Sequence, residues 1–244
     1  MTDTKKDILH QLQREILSLQ GFKLHPAGTD THAGRGTMAN AFPMGVFPVA
    51  AVHEFLSTCA EQVAATCGFV SGLLAGLMQG DKTCVWISMS RTLYPPALKA
   101  FGIEPDRIIF IDLTKQKDLL WAMEEALKCE GLAAVVGEIQ EISFTASRRL
   151  QLAVEKSRVT GFILRQQGRN MVGSAFVSRW KIHSLPSEAV DGLPGIGLPR
   201  WNIELLKIRN GKPGSWVMEW SASGFQQVYP AMPLLPEKQI RKTG

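Results

Sequence analysis

The sequence predicts an α/β fold with a central, mostly parallel sheet, antiparallel strands towards its C-terminal end, and an amphipathic helix at its N-terminus. The first observation is an alternation of apolar runs with helical stretches between residues 51 and 165, which is typical of a parallel sheet covered by helices. The second is a change to period-two apolar spacing after residue 170, around an Asn210-Gly211 turn. Because Asn-Gly between alternating apolar runs favours a hairpin, we expect the last strands to be antiparallel.

Five apolar runs make up the parallel part of the predicted sheet. They are the strands at residues 51–56, 84–89, 107–113, 132–139 and 159–165. The helices between them are bounded by capping signals. One helix is expected to follow Thr114 and to end before Gly131, and another is expected over residues 145–157, after Thr145. In the second of these, Arg148 and Arg149 are expected in the first turn, where the helix dipole disfavours cations.

The N-terminal region is predicted to be a separate helix and a linker. Residues 7–20 carry an apolar stripe close to i, i+4, i+8 spacing, which predicts an amphipathic helix within residues 1–22. Residues 23–45 have several glycines and no periodicity, so they are predicted to be a linker. The main domain is expected over residues 46–221, followed by an irregular, proline-containing basic tail at residues 222–244.

Charge and composition exclude some classes of protein. The 27 Lys and Arg against 22 Asp and Glu give a net charge of +5, which suits an acidic partner or nucleic acid without requiring one. The longest weakly polar stretch, residues 63–78, is shorter than the roughly 20 apolar residues that a membrane span needs, so we expect no membrane segment. No targeting signal is recognisable, and a cytoplasmic protein is expected. The four cysteines include no C-x-x-C pair, which disfavours a disulfide or a metal site.

A phosphate-binding loop would be expected after the first strand, where backbone N–H groups at a helix N-terminus attract anions. Residues 57–66 contain neither glycine nor lysine, and Glu61 would repel a phosphate. Residues 192–197 do not fit G-x-G-x-x-G, and no residue set matches a zinc, nucleophile-elbow or paired-carboxylate site. We therefore expect no catalytic residues, no cofactor and no metal.

The order of elements resembles the RecA core, and four sequence blocks resemble the ImuA family. These blocks are residues 121–129 (WAMEEALKC), 131–138 (GLAAVVGE), 145–153 (TASRRLQLA) and 214–216 (GSW). The resemblance covers roughly residues 40–221, and the block from 121 to 153 is its specific part. It implies a RecA-like accessory factor of bacterial damage-induced mutagenesis, in a group also related to SulA-like division inhibitors.

The same resemblance lets the RecA nucleotide site be compared position by position. Residues 61–64 stand where RecA has its Ser-Gly-Lys-Thr run, Ser90 stands where the catalytic glutamate would be, and Gly137 stands in place of the metal-linked aspartate. Gln166 resembles the phosphate-sensing glutamine, and the loop at residues 167–174 is shorter than the second DNA-contacting loop of RecA. The comparison implies a non-enzyme with a degenerate nucleotide site that lacks the phosphate-binding lysine.

The function implied by the resemblance is that of a non-catalytic adaptor in SOS-induced, error-prone translesion synthesis. Its implied partners are ImuB, an error-prone replicative-type DNA polymerase and RecA itself, with DNA contact indirect or weak. The alternative is a SulA-like inhibitor of cell division that binds FtsZ. An inhibitor would bind FtsZ directly, whereas an adaptor would bind ImuB.

Two groups of residues are candidates for contacts with these partners. The apolar stripe of the N-terminal helix needs a covering surface, because an isolated helix of about 14 residues is marginal in water. Its members are Ile8, Leu9, Leu12 and Ile16. The second group consists of arginines near the carboxyl ends of the predicted strands, where α/β proteins bind ligands. These nucleic-acid candidates are Arg148, Arg149, Arg165, Arg169 and Arg179.

Overall fold

A nine-stranded sheet runs through the part of the chain that the computed structural model describes, which is residues 8, 11, 12 and 15 and the ranges 36–166, 173–188 and 197–229. The strands are β1 Val52–Ser57, β2 Thr83–Ser88, β3 Ile108–Asp112, β4 Leu132–Glu138, β5 Thr160–Gln166, β6 Ser178–Leu185, β7 Arg200–Ile208, β8 Gly214–Ser221 and β9 Gly224–Gln227. The helices are α1 Ala60–Leu77, α2 Gln116–Leu127 and α3 Phe144–Ser157.

The strand order is β3-β2-β4-β5-β1-β6-β7-β8-β9. The strands β1 to β5 pair in parallel, and β6 also lies parallel to β1. From β6 to β9 every pairing is antiparallel. The predicted fold class is therefore confirmed, and β1 and β6 form the junction between the two halves of the sheet.

The predicted hairpin lies between β7 and β8. Asn210 has a positive φ of 59°, a left-handed conformation that asparagine tolerates better than most residues. Lys212 donates its backbone N–H to the carbonyl oxygen of Ala41 at 2.9 Å. This bond attaches the turn to the segment that precedes the first strand.

Helices cover the two faces of the sheet unequally. On one face α1 packs against the sheet through Phe69 and Leu73, in a core that also receives the aromatic residues of the antiparallel strands. On the other face α2 and α3 pack side by side, with Met123 and Val154 among their buried residues. By length and composition α1 is apolar enough to cross a membrane, but 61% of it is buried inside the protein. It is therefore a core helix of this fold.

Part of the predicted linker at residues 23–45 belongs to the folded core. Residues 36–45 form two short 3-10 helices, Gly36–Ala41 and Pro43–Gly45, and both Met38 in the first helix and Phe42 between the two are buried. The pattern was not visible in the sequence because 3-10 turns lack the 3.6-residue period of an α-helix. The folded core therefore includes residues 36–45, which precede the predicted boundary at residue 46.

The predicted irregular tail at residues 222–244 also begins with ordered structure. Residues 224–227 form β9, which pairs with β8, and Phe225 is buried against α1. Four residues with one buried aromatic side chain are too short for a recognisable period-two pattern. Residues 230–244, with the basic end of the predicted tail, lie outside the described residues.

The helix starts differ slightly from the predicted ones. α3 begins at Phe144 and is capped by Ser143, whose hydroxyl accepts the backbone N–H of Ala146 at 3.1 Å. Because the helix starts before Thr145, Arg148 and Arg149 lie in its second turn, where the N-terminal dipole has little effect. α2 is preceded by Lys115 at the capping position instead of Thr114.

Candidate functional site

The carboxyl ends of β1, β4 and β5 surround a cavity of about 330 Å³. In parallel sheets the ligand site usually lies at this edge, because the loops that leave the strands gather there. Its wall includes apolar residues and a few polar ones: Val63, Ser90, Glu138, Gln140, Arg165 and Gln166. This edge of the sheet is therefore the candidate functional site.

Glu138, the last residue of β4, is the acidic group in the wall of the cavity. Its carboxylate accepts the indole N–H of Trp86 at 2.8 Å and the hydroxyl of Thr92 at 3.4 Å. Burial raises the pKa of Glu138, and the charge of Asp112 adds to the rise although the two hydrogen bonds oppose it. The sequence comparison passed over this residue, because nothing local to it indicates that a buried indole 52 positions away holds its carboxylate.

The N-terminus of α1 is closed by its own side chains. The side-chain oxygen of Gln62 accepts both the backbone N–H and the hydroxyl of Thr58, at 2.8 and 2.9 Å. The exposed carboxylate of Glu61 accepts a hydrogen bond from its own backbone N–H and one from the Cys59 side chain, and these bonds lower its pKa. The backbone N–H groups of Thr58, which precedes the helix, and of Glu61 in its first turn are thus engaged with an amide and a carboxylate oxygen.

The other positions of the sequence comparison fall into two groups. Ser90 and Gln166 are exposed and line the cavity. Gly137 does not, because a Cβ atom built on it would lie 2.5 Å from the sulfur of Met123, in α2 on the other face of the sheet. The carboxylate that β4 presents at this edge is therefore that of the next residue, Glu138.

A buried ionic cluster joins the parallel and antiparallel halves of the sheet. Glu54 in the middle of β1 is fully buried, and its two carboxylate oxygens accept from Arg165 Nη1 at 2.5 Å and Arg179 Nε at 2.6 Å. Ser174 donates its hydroxyl to the same carboxylate at 3.0 Å. Because β5 and β6 flank β1, this single carboxylate links three neighbouring strands.

The nucleic-acid candidates are distributed over different environments. The side chains of Arg165 and Arg179 are only 10% and 13% exposed, and Glu54 occupies their guanidinium groups. On α3, Arg149 is exposed and pairs with Glu124 of α2 at 2.5 Å, while Arg148 is exposed as well. Arg169 lies outside the described residues. The structure therefore does not bring the five arginines together, and nucleic-acid contact stays a prediction.

The described residues of the N-terminal helix are exposed. Ile8 and Leu12 are helical and are 53% and 49% exposed. Gln11 donates its side-chain amide to Glu15 at 3.4 Å, an i, i+4 bond typical of a helix. Leu9 and Ile16, the other two members of the predicted stripe, lie outside the described residues.

Comparison with known proteins places the chain among named relatives. No family model matches the chain. Protein ImuA of Caulobacter vibrioides is 33% identical over 203 residues, which cover 78% of this chain and 83% of that protein. The chain belongs to the ImuA family. The resemblance expected from the block at residues 121–153 is thereby confirmed.

More distant similarity extends beyond ImuA proteins. The cell division inhibitor SulA of Yersinia pestis is 27% identical over 112 residues, which cover 46% of this chain and 67% of that protein. The crystal structure of SulA from Pseudomonas aeruginosa is 19% identical and aligns with a TM-score of 0.41, covering 49% of this chain and all of that chain. By sequence, the similarity to SulA is weaker and covers less of the chain than the similarity to ImuA.

Proposed function

We propose that this chain is a non-catalytic adaptor in SOS-induced, error-prone translesion synthesis, acting with ImuB and an error-prone DNA polymerase. The observation that carries the proposal is the 33% identity to protein ImuA along 203 residues. The chemistry at the carboxyl edge of the sheet supports it. Where a nucleotide-hydrolysing relative needs a lysine and free helix N–H groups, this chain has Glu61 and a closed Thr58–Gln62 turn.

The non-enzymatic part of the proposal is tested by nucleotide binding. A ligand at 100 times its dissociation constant stabilises a protein by about 2.7 kcal/mol, which raises the melting temperature by several degrees. We expect the melting temperature of this protein to stay unchanged when Mg-ATP is added, and we expect no phosphate release. A clear rise in melting temperature with Mg-ATP would contradict the proposal.

The adaptor part is tested through the N-terminal helix, whose apolar stripe is proposed to dock on the partner. In the variant with Leu9→Asp and Leu12→Asp, we expect co-purification with ImuB to be lost, because two charges on the stripe would have to be buried. The melting temperature should stay unchanged, since Leu12 is about half exposed. Gln11→Asp, on an exposed polar position of the same helix, is the matched control and should retain the partner.

One other result would count against docking by this helix. A double variant that melts many degrees lower but still binds ImuB would show that the stripe packs on the protein's own core. The same pull-down in the presence of RecA tests whether RecA is a further partner.

Contact with DNA is proposed to be weak and to involve the exposed arginines of α3. Each phosphate contact releases counterions, so the affinity for single-stranded DNA should fall steeply with salt concentration. Replacing Arg148 and Arg149 by Gln should reduce both the affinity and the slope against salt. If the protein does not bind DNA, or binds it with an affinity that does not depend on salt, the proposed DNA contact is wrong. The two arginines would then make only surface contacts within the protein, such as the ion pair of Arg149 with Glu124.

The second candidate function is inhibition of cell division by binding FtsZ. The 27% identity to SulA over 112 residues favours it, although the matched region is less than half of this chain. Light scattering of polymerising FtsZ, with and without the purified protein, distinguishes the two candidates. An adaptor leaves FtsZ assembly unchanged, whereas an inhibitor suppresses it in a concentration-dependent manner.

A further inference from the structure

Among the described residues, Glu138 and Glu204 are the partly buried carboxylates that no lysine or arginine binds, and Glu204 lies on β7, where it contacts Asn202 and His183. Glu54 binds two arginines, Glu124 binds Arg149 and Lys128, and Glu219 binds Arg200. The carboxylate of Glu138 has only neutral donors, an indole N–H and a hydroxyl, among these residues. Its position is fixed, because the Trp86 side chain that holds it is buried within β2. A carboxylate has about four acceptor sites, so Glu138 has acceptor capacity left for a further donor.

The cavity beside Glu138 has the shape and lining that a long cationic side chain requires. Apolar groups of Val63, Met89, Ile139 and Leu164 line its walls, and the carboxylate stands among them. Lysine and arginine have an aliphatic stem that packs on apolar surface and a charged head that needs an anionic or polar partner. The volume of about 330 Å³ is within the range of small-ligand pockets.

A second, more apolar groove continues from this cavity between α1 and the 3-10 helix Pro95–Phe101. It has a volume of about 440 Å³ and shares Val63 and Gln166 with the cavity. Tyr94, which is 69% exposed, stands in its wall. The two depressions therefore offer one acidic and one apolar subsite next to each other.

We propose that the Glu138 cavity receives a lysine or arginine side chain of a partner protein, with an adjacent apolar side chain of that partner in the groove along α1. Charge complementarity selects this occupant, because Glu138 has no cationic partner among the described residues, whereas the guanidinium of Arg165, the cation in the same wall, is already bound by Glu54. A metal ion is disfavoured as well, since no group of three or more potential ligands occurs among the described residues. The inference rests on the proposed adaptor function, and it specifies the chemistry of the partner surface.

The binding chemistry is tested without any partner by titrating the full-length protein with n-butylguanidinium, a mimic of an arginine side chain. n-Butylurea is the control, because it has a closely similar shape and no charge. We expect saturable shifts of the backbone amide NMR signals of Met89, Ser90 and Gln140 with the cation. An affinity on the order of 1 mM is expected for a probe of this size. The urea should produce no saturable shifts.

Variants then locate the site. Glu138→Gln keeps an oxygen acceptor for Trp86 and removes the charge, so we expect the probe to bind at least tenfold more weakly. Glu141→Gln removes an exposed carboxylate three positions away and should leave binding unchanged. Equal binding of the cation and the urea by the wild-type protein would overturn the proposal even if the Glu138 variant fails to fold. Unchanged binding by a folded Glu138→Gln protein would overturn it as well.

A final experiment tests whether the cationic side chain that fills the cavity comes from a partner protein or from this chain itself. Arg169 follows β5 by three residues and lies outside the described residues. If the wild-type protein does not bind the probe and Arg169→Gln does, the chain fills its own cavity and the proposal is wrong. If the wild-type protein binds the probe but does not co-purify with ImuB, only the proposed partner is contradicted. The proposal for the Glu138 cavity and the proposed adaptor function can therefore be refuted independently.

Discussion

Removal of the carboxylate of Glu54 should destabilise the protein more than the loss of an ordinary ion pair. The side chains of Arg165 and Arg179 are 10% and 13% exposed, so Glu54→Ala leaves two guanidinium groups buried without their anion. Breaking a buried pair by removing one partner costs about 3–5 kcal/mol. That is a large part of the roughly 5–15 kcal/mol by which a typical domain is stable. For a protein of this size the loss corresponds to a fall in melting temperature of about 6–20 °C.

Urea unfolding followed by tryptophan fluorescence measures the free energy of unfolding directly. Glu188→Ala is the matched control, because its carboxylate also binds an arginine but is 78% exposed. We expect this control to lose less than about 1 kcal/mol. A triple variant, Glu54→Leu with Arg165→Met and Arg179→Met, should regain most of the stability, since apolar residues of similar volume often replace a buried ionic cluster without loss.

The reasoning would be refuted if Glu54→Ala lost less than about 1 kcal/mol, as an exposed pair does. Such a result would mean that water reaches both guanidinium groups in the variant and solvates them. A triple variant less stable than Glu54→Ala would refute the assumption that the cluster is replaceable by apolar packing.

Three further perturbations have expected outcomes. Gly72→Ala should cost about 1–3 kcal/mol of unfolding free energy by overpacking, since its Cβ would lie 2.5 Å from the Phe225 ring; Gly131→Ala, which meets open space, is the control. Ser143→Ala should lower the unfolding free energy by about 1 kcal/mol through loss of the α3 cap, measured by urea denaturation. Burial lowers the pKa of His53 from 6.5 to about 4, so on acidification His53 is protonated at a lower pH in the folded state than in the unfolded state. The contribution of His53 to stability is therefore complete above pH 6.5, and the free energy of unfolding should fall by about 1.4 kcal/mol per pH unit between pH 6.5 and 4. His53→Asn should remove this slope from a pH series of unfolding curves.

Much of the fold followed from periodicity in the sequence. The five predicted parallel strands correspond to β1 to β5 within a few residues, because each is an apolar run, and four of the five are buried on both faces. The exception is β3 at the edge of the sheet, where Ile109 is half exposed. The Asn210-Gly211 turn joins β7 to β8 as predicted, because its conformational preference is local. The short ordered pieces at residues 36–45 and 224–227 had no such signal, and their burial depends on contacts with distant strands.

The candidate site was less accessible to sequence reasoning. The lack of a phosphate-binding motif in residues 57–66 can be seen directly in the sequence, because such a motif is defined by residue types at consecutive positions. The role of Glu138 is not readable in this way. It depends on Trp86, which lies on another strand and becomes a neighbour only when β2 pairs with β4.

The sequence by itself therefore determined the family, the order of the elements and the absence of lysine from the first βα turn. These properties reside in residue types and in spacings of fewer than about ten residues. Only the tertiary structure decided which charges are partnered. Glu54 meets Arg165, Ser174 and Arg179 across separations of more than 100 residues, and its burial is tolerable only because those partners arrive together. The energy of a buried charge depends on its neighbours in space, and the pairing of distant strands sets those neighbours.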